Sequence, residues 1–250
     1  MVSGSSSESV SGPHPRKTAL VTGGAKRVGR ELALTLARSG MDVAITFRAS
    51  ADEAAETVRA IELLGVRSIA LQMDVCSEAS VRDAILATVA EFGGLDLLVN
   101  NAAIFESASL AEISLERWDA VFETNARGPF LAAREALPHL KAAHGRIVNL
   151  GSLGGSHPWA THGHYCSSKA ALHMLTQTMA KAFAPEVSVN CVAPGYIEIA
   201  GDREVAHFAS KTPMGRNGSA EDVAAAVLFF ATGPHFITGQ ILTVDGGLGL

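Results

Sequence analysis

At 250 residues, with 48% apolar side chains and 24 glycines, the chain is long enough to bury one large core and to make many tight turns. A formal charge of −5, a pI near 6.0 and the lack of any dense Lys/Arg run argue against nucleic acid or an anionic membrane as the main partner. Cys76, Cys166 and Cys191 fit no CxxC or metal pattern, and no apolar run has the length of a membrane span or the form of a signal peptide. The expectation is a soluble cytoplasmic protein with free thiols.

Residues 1–16 are mostly Ser, Gly and Pro with little to bury, and read as a disordered leader. From Lys17 onward apolar runs alternate with helical patterns. The strand TALVTGG (18–24) precedes a helix over 27–40, and the strand 41–48 precedes a helix over 50–65 with Ser50 as its N-cap. A strand at 67–75 leads to a helix at 77–93, and a strand at 95–102 leads to two helical stretches within 114–143. The strand 145–152, a helix carrying Tyr165, and a strand at 187–195 follow. After a freer stretch, 196–218, come a serine-capped helix (219–232) and a last strand (240–247). This alternation predicts a single doubly wound α/β domain over 17–250, with a central, mostly parallel sheet of about seven strands and helices on both faces.

Two stretches carry chemistry. In TGGAKRVG (22–29), glycines join the first strand to the first helix, where backbone N–H groups and a helix N-terminus meet a pyrophosphate. Gly23 and Val28 belong to this turn, and Arg27 stands where a middle glycine is usual. At the end of the second strand, Phe47–Ser50 offers no carboxylate for a ribose hydroxyl. Arg48 and Ser50, helped by Lys26 or Arg27, suit a 2′-phosphate instead, so NADP(H) is the expected cofactor. The second stretch is SLGGSHPWATHGHYCSSK (152–169). Tyr165 and Lys169 are four apart on one helix face, and Ser152 stands at the C-terminal edge of a buried strand, where open α/β sheets bind ligands. A lysine ammonium there would make the phenol easier to ionise, suited to exchanging a proton with a carbonyl or alcohol. Taken alone, Tyr-x-x-x-Lys is also compatible with ordinary helix surface. His157, His162 and His164 lack a placed carboxylate or cysteine partner, and no metal is expected.

TGGAKRVG, Asp74–Val75, NNA (100–102), Asn125, Ser152, Tyr165-x-x-x-Lys169 and Pro194–Gly195 occur in the order found in the short-chain dehydrogenase/reductases, which the chain resembles from about Lys17 to Leu250. The ending ITGQILTVDGG (237–247) is similar to the 3-oxoacyl-carrier-protein-reductase-like members. The resemblance implies a Rossmann-type fold and an NADPH-dependent carbonyl reduction. Tyr165 would be the acid/base, Lys169 its partner on the nicotinamide ribose, Ser152 the orienting hydroxyl and Asn125 the anchor of a relay water. Asp74 and Val75 would meet adenine, Asn101, Ala102 and Ala103 the cofactor's path, and Pro194, Gly195 and Ile197 the nicotinamide. Ile199 stands where many relatives carry a threonine that hydrogen-bonds the cofactor, a bond an isoleucine side chain has no group to make. Arg27, the Arg48–Ser50 pair and NNAAIF (100–105) also resemble the pteridine reductases, in which an aromatic at the place of Phe105 stacks on the pterin. Ser152, where the eukaryotic pteridine reductases carry an aspartate, speaks against that. A non-catalytic dinucleotide sensor is the remaining alternative, and the family's habit implies a homotetramer.

Overall fold

The computed structural model describes residues 16–198 and 205–250, so the expected leader (save Arg16) and Ile199 lie outside the described residues. Its strands are β1 (Thr18–Val21), β2 (Asp42–Phe47), β3 (Ser68–Gln72), β4 (Leu97–Asn100), β5 (Arg146–Leu150), β6 (Ser188–Pro194) and β7 (Ile241–Val244). The helices are α1 (Arg27–Arg38), α2 (Ala51–Glu62), α3 (Glu78–Phe92), α4 (Leu115–Phe122), α5 (Gly128–Ala142), α6 (Gly163–Phe183), α7 (Val205–Lys211) and α8 (Ala220–Thr232). Among the described residues, no helix is long and apolar enough to cross a membrane.

The seven strands make one sheet in the order β3-β2-β1-β4-β5-β6-β7, and every neighbouring pair is parallel. Apolar runs such as TALV and DVAITF are what such a sheet needs, because both of its faces are covered. Alternate residues serve opposite layers. Ala19, Val21, Val43, Ile45, Leu97 and Val99 pack with Leu32 and Leu36 of α1, Ile61 of α2, and Val227 and Phe230 of α8. Leu20, Leu98, Ile147 and Val189 face Val81 and Ile85 of α3, Leu131 and Leu140 of α5, and Met179 of α6. Full burial of one such side chain is worth about 1.5–3 kcal/mol, so each layer contributes heavily to a fold of ordinary stability.

Helix starts follow their local chemistry. The Ser77 and Ser114 hydroxyls accept backbone N–H bonds at the heads of α3 and α4. Ser219 and Asp222 form a reciprocal capping box on α8. Two parallel bonds from Arg216 (2.6 and 2.8 Å) hold the Asp222 carboxyl well below the usual carboxylate range. Ser50 precedes α2 as expected, but its side chain makes no capping bond.

Two features depart from the sequence reading. Residues 205–211, inside the stretch read as free, form the short helix α7. Between α4 and α5 the helix widens into a π turn, Glu123–Arg127, where the Gly128 N–H donates to the Glu123 carbonyl five residues back. The strand order reverses beside β1: β2 lies on one side of it and β4 on the other. The loops leaving β1 and β4 therefore part in opposite directions and open a crevice at the C-terminal edge.

Candidate active site

The turn after β1 is bound to the end of β4 by side chains of both. The Thr22 hydroxyl accepts from the Asn101 N–H (2.9 Å) and the Ala102 N–H (3.0 Å). In return, Asn101 Nδ2 donates to the carbonyls of Thr22 (2.9 Å) and Gly23 (3.1 Å). Gly23 has φ +65°, which suits glycine, and a Cβ at Gly29 would strike the Gly23 carbonyl. Arg27 takes φ +54° without being a glycine, at a cost of about 1–2 kcal/mol. This torsion accounts for the glycine usual at that place.

The crevice holds a cleft of about 540 Å³ lined by Gly23, Lys26, Arg27, Val28, Arg48, Ser50, Asp74, Val75, Asn101, Ala102 and Ala103. These eleven are residues the sequence pointed to. Thr46, Met73, Ile104 and Thr124 also line it and were missed. Thr46 had no motif to mark it, yet its Oγ1 accepts from the Gly23 N–H at 3.2 Å. The head of α1 has no side-chain cap and no acidic residue in its first turn, so its N–H groups remain suited to an anion. Arg48 is exposed at the rim, and Lys26 reaches Glu53 of α2 at 3.3 Å. Such an exposed pair is worth about 0–1 kcal/mol, so Lys26 can exchange it for a phosphate. Asp74 Oδ1 accepts from the Cys76 N–H at 2.9 Å, so one of its oxygens is spent on the turn it closes. Cradle, cations and helix end together fit a phosphorylated dinucleotide.

Ser152, Tyr165 and Lys169 meet at the ends of β5 and α6. Lys169 is 3% exposed, and its Nζ donates to the Leu150 carbonyl at 2.7 Å. Burial lowers its pKa to about 8. Burial pushes the Tyr165 phenol up and outweighs the neighbouring Ser152 side chain, which favours the phenolate. The expectation of a phenol made acidic by its lysine is thus corrected for the free protein. Lys169 Nζ lies 5.8 Å from the centre of the Tyr165 ring and serves a carbonyl, and desolvation dominates both groups. Cys191, whose thiol burial drives up to about 12, lies in the same floor.

Asn125 sits fully buried in the π turn. Its Oδ1 accepts from the Ile104 N–H (2.8 Å), and its Nδ2 donates to the Ile104 carbonyl (2.9 Å) and to Ser168 Oγ (3.1 Å). The amide thereby joins the π turn to the loop after β4 and to α6. Phe105, on that loop, is 63% exposed and meets the Tyr165 ring edge-on at 4.8 Å. Pro194 ends β6, and Gly195 is bonded to β7 through its N–H and the Val244 carbonyl (3.0 Å). Ile197 bridges to Gly218. These three stand at the same sheet edge without lining the cleft. His173 was missed by the sequence reading, although it continues the Tyr165–Lys169 face by one more helical step. Its ring lies where a Cβ at Gly151 or Gly155 would strike it, its Nε2 accepts from the Ser152 N–H at 3.5 Å, and burial and Lys169 lower its pKa.

Comparison with known proteins agrees with this geometry. Residues 23–249 match the family model described as Enoyl-(Acyl carrier protein) reductase. The chain is 35% identical over 240 residues to the 3-oxoacyl-[acyl-carrier-protein] reductase FabG of Staphylococcus aureus, covering 93% of this chain and 98% of that one. A short chain dehydrogenase from Burkholderia cenocepacia, solved in complex with NADP, superposes with a TM-score of 0.89 at 40% identity, over 94% of this chain and 98% of that one. A blue fluorescent protein from a metagenomic library, in complex with NADPH, gives 0.88 at 32% identity over the same shares. Fold, motif order and these likenesses agree: the chain is an oxidoreductase of the short-chain dehydrogenase/reductase family, which binds a nicotinamide dinucleotide.

Proposed function

We propose that this protein is an NADPH-dependent reductase of a ketone or 3-oxoacyl-type carbonyl, working as a cytoplasmic homotetramer. The observation that carries the reading is the grouping of three buried side chains, Ser152, Tyr165 and Lys169, at the C-terminal sheet edge where the dinucleotide cleft opens. Bound NADPH would supply a hydride to the carbonyl carbon and leave as NADP⁺. Ser152 and Tyr165 hold the carbonyl oxygen between their hydroxyls. As the C=O π bond breaks, the Tyr165 O–H bond gives its proton to that oxygen and the alcohol forms. A phenol pushed up by burial keeps its proton at neutral pH, which favours the reductive direction. Lys169 stabilises the phenolate left behind, and solvent restores the proton. Asn125, its side chain committed to Ile104 and Ser168, holds the loop, the π turn and α6 in register. Pro194, Gly195 and Ile197 wall the nicotinamide side.

Since Lys169 loses its charge near pH 8 in the free protein, kcat/KM for carbonyl reduction is expected to fall above about pH 8, while the phenol is still protonated. A pH–rate profile flat to pH 10 would count against Lys169 in this role. For the cofactor, Arg48→Ala is expected to lower the preference for NADPH over NADH roughly 10–100-fold, the worth of one charged hydrogen bond. Steady-state kinetics with both cofactors would measure it, and an unchanged ratio would remove Arg48 from the 2′-phosphate site.

Pteridine reduction is the second reading, favoured by Arg27 and by the exposed Phe105 ring beside Tyr165. Biopterin, dihydropterin and short 3-oxoacyl thioesters assayed side by side with NADPH decide between the two. Silence on a broad carbonyl panel and on pterins would instead support a dinucleotide sensor. For assembly, exposed Phe130 on α5, Met174 on α6, Phe229 on α8 and Leu242 on β7 are apolar faces of the kind a tetramer covers. Leu172 and Met179 of α6, by contrast, belong to the core.

A further inference from the structure

Tyr165 is one corner of a closed cycle of four rings. Phe105 stacks on His162, with centroids 4.8 Å apart and planes 8° apart, and meets Tyr165 edge-on. Trp159 stacks with Tyr165 at 6.2 Å and 11°, and meets His162 edge-on at 5.8 Å. Two parallel pairs therefore stand nearly at right angles around the phenol. The cycle is held from several sides. The Ala108 N–H donates to the Thr161 carbonyl at 2.8 Å, tying the loop of Phe105 to that of Trp159 and His162. A Cβ at Gly154 would come within 3.1 Å of the Trp159 ring, so the indole is seated on the turn that follows Ser152.

Phe105 nevertheless keeps 63% of its surface open, next to the hydroxyl that the substrate oxygen must reach. Aromatic faces favour flat aromatic partners beyond what buried area alone provides. Rings also attract cations. Here the nearby carboxylate, Glu106, is already engaged by Arg117 Nε at 3.1 Å, which leaves less negative charge for a cationic substrate. We infer that the site takes an aryl ketone, with its ring against Phe105 and Trp159 and its oxygen between Tyr165 and Ser152. This rests on the reductase reading, with the same balance of hydride from NADPH and proton from Tyr165, and the product is the aryl-substituted alcohol.

The test uses two ketones of the same skeleton, acetophenone and cyclohexyl methyl ketone, with NADPH and the full chain. The aryl ketone is expected to have about a tenfold higher kcat/KM. Calorimetric binding to the NADP⁺-loaded protein is expected to rank the pair in the same order. Because the two ketones differ in intrinsic reactivity, the variants decide. Phe105→Leu and Trp159→Leu keep apolar bulk without a ring and are expected to bring the ratio several-fold down, whereas Phe105→Tyr retains it. A ratio unchanged in both leucine variants overturns the inference, as does a trimethylammonium-bearing ketone preferred over both. Equal binding of the pair to the NADP⁺-loaded wild-type protein sinks the aryl assignment and leaves the reductase reading standing. Turnover of neither ketone nor of any other carbonyl overturns both.

Discussion

Tyr165→Phe is expected to reduce carbonyl turnover by about 10²–10⁴-fold while NADPH affinity stays within a few-fold of the wild type. The substitution removes one oxygen and leaves the ring, so the contacts with Phe105 and Trp159 survive and α6 keeps its packing. The group lost is the phenol hydroxyl, and with it the proton source of the proposed reaction. Ser152 keeps its partner, since its Oγ accepts from the Gly154 N–H at 3.1 Å, so the surrounding turn has no reason to move. Steady-state rates together with a fluorescence titration of NADPH separate the two effects. Near-normal turnover would remove Tyr165 from the chemistry, and lost cofactor binding would recast it as a structural residue.

Gly29→Ala is expected to destabilise the protein by about 1–3 kcal/mol, roughly 3–10 °C in Tm for a chain of this size, and to reduce kcat/KM with NADPH by about 100-fold. A methyl group there would press on the Gly23 carbonyl and come within 2.6 Å of Asn101 Nδ2. Those atoms are partners in one of the bonds that hold the phosphate turn to β4. Relief therefore means moving backbone, and the N–H groups proposed to meet the pyrophosphate move with it. Thermal unfolding and an NADPH titration would each read the change. A variant with wild-type values in both would show that the turn yields without consequence.

How much of this was legible in the sequence depends on what a residue pattern can encode. The strands were, because runs such as TALV and IVNL leave few alternatives once helices alternate with them. The glycine turn after β1 was as well, since glycines at fixed offsets have a backbone reason. The left-handed torsion of Arg27 sits at the position where the sequence departs from the usual glycine. The π turn was not legible: ERWDAVFETNARGPF keeps a helical pattern throughout, and the widening appears only where Asn125 meets Ile104 and Ser168. Short α7 was hidden for a different reason, being seven residues inside a segment rich in charge and glycine. The direction of the Tyr165 pKa was misjudged because spacing places Lys169 on the same face but is silent on where its ammonium points. That group faces the Leu150 carbonyl, buried deeply enough to lose much of its own basicity.

The positive torsion at Arg27 bears on how this chain could have come to carry a guanidinium at its phosphate turn. A glycine there would relieve about 1–2 kcal/mol of backbone conflict. The same glycine would loosen the unfolded chain, returning roughly 0.5–1 kcal/mol of that gain as entropy. The difference is small beside ordinary folding free energies, so a cation at this turn leaves the empty protein nearly as durable as its glycine-bearing counterpart. Affinity for a polyanion and thermal robustness are thus only weakly opposed at this position, and drift between the two residues meets a low barrier.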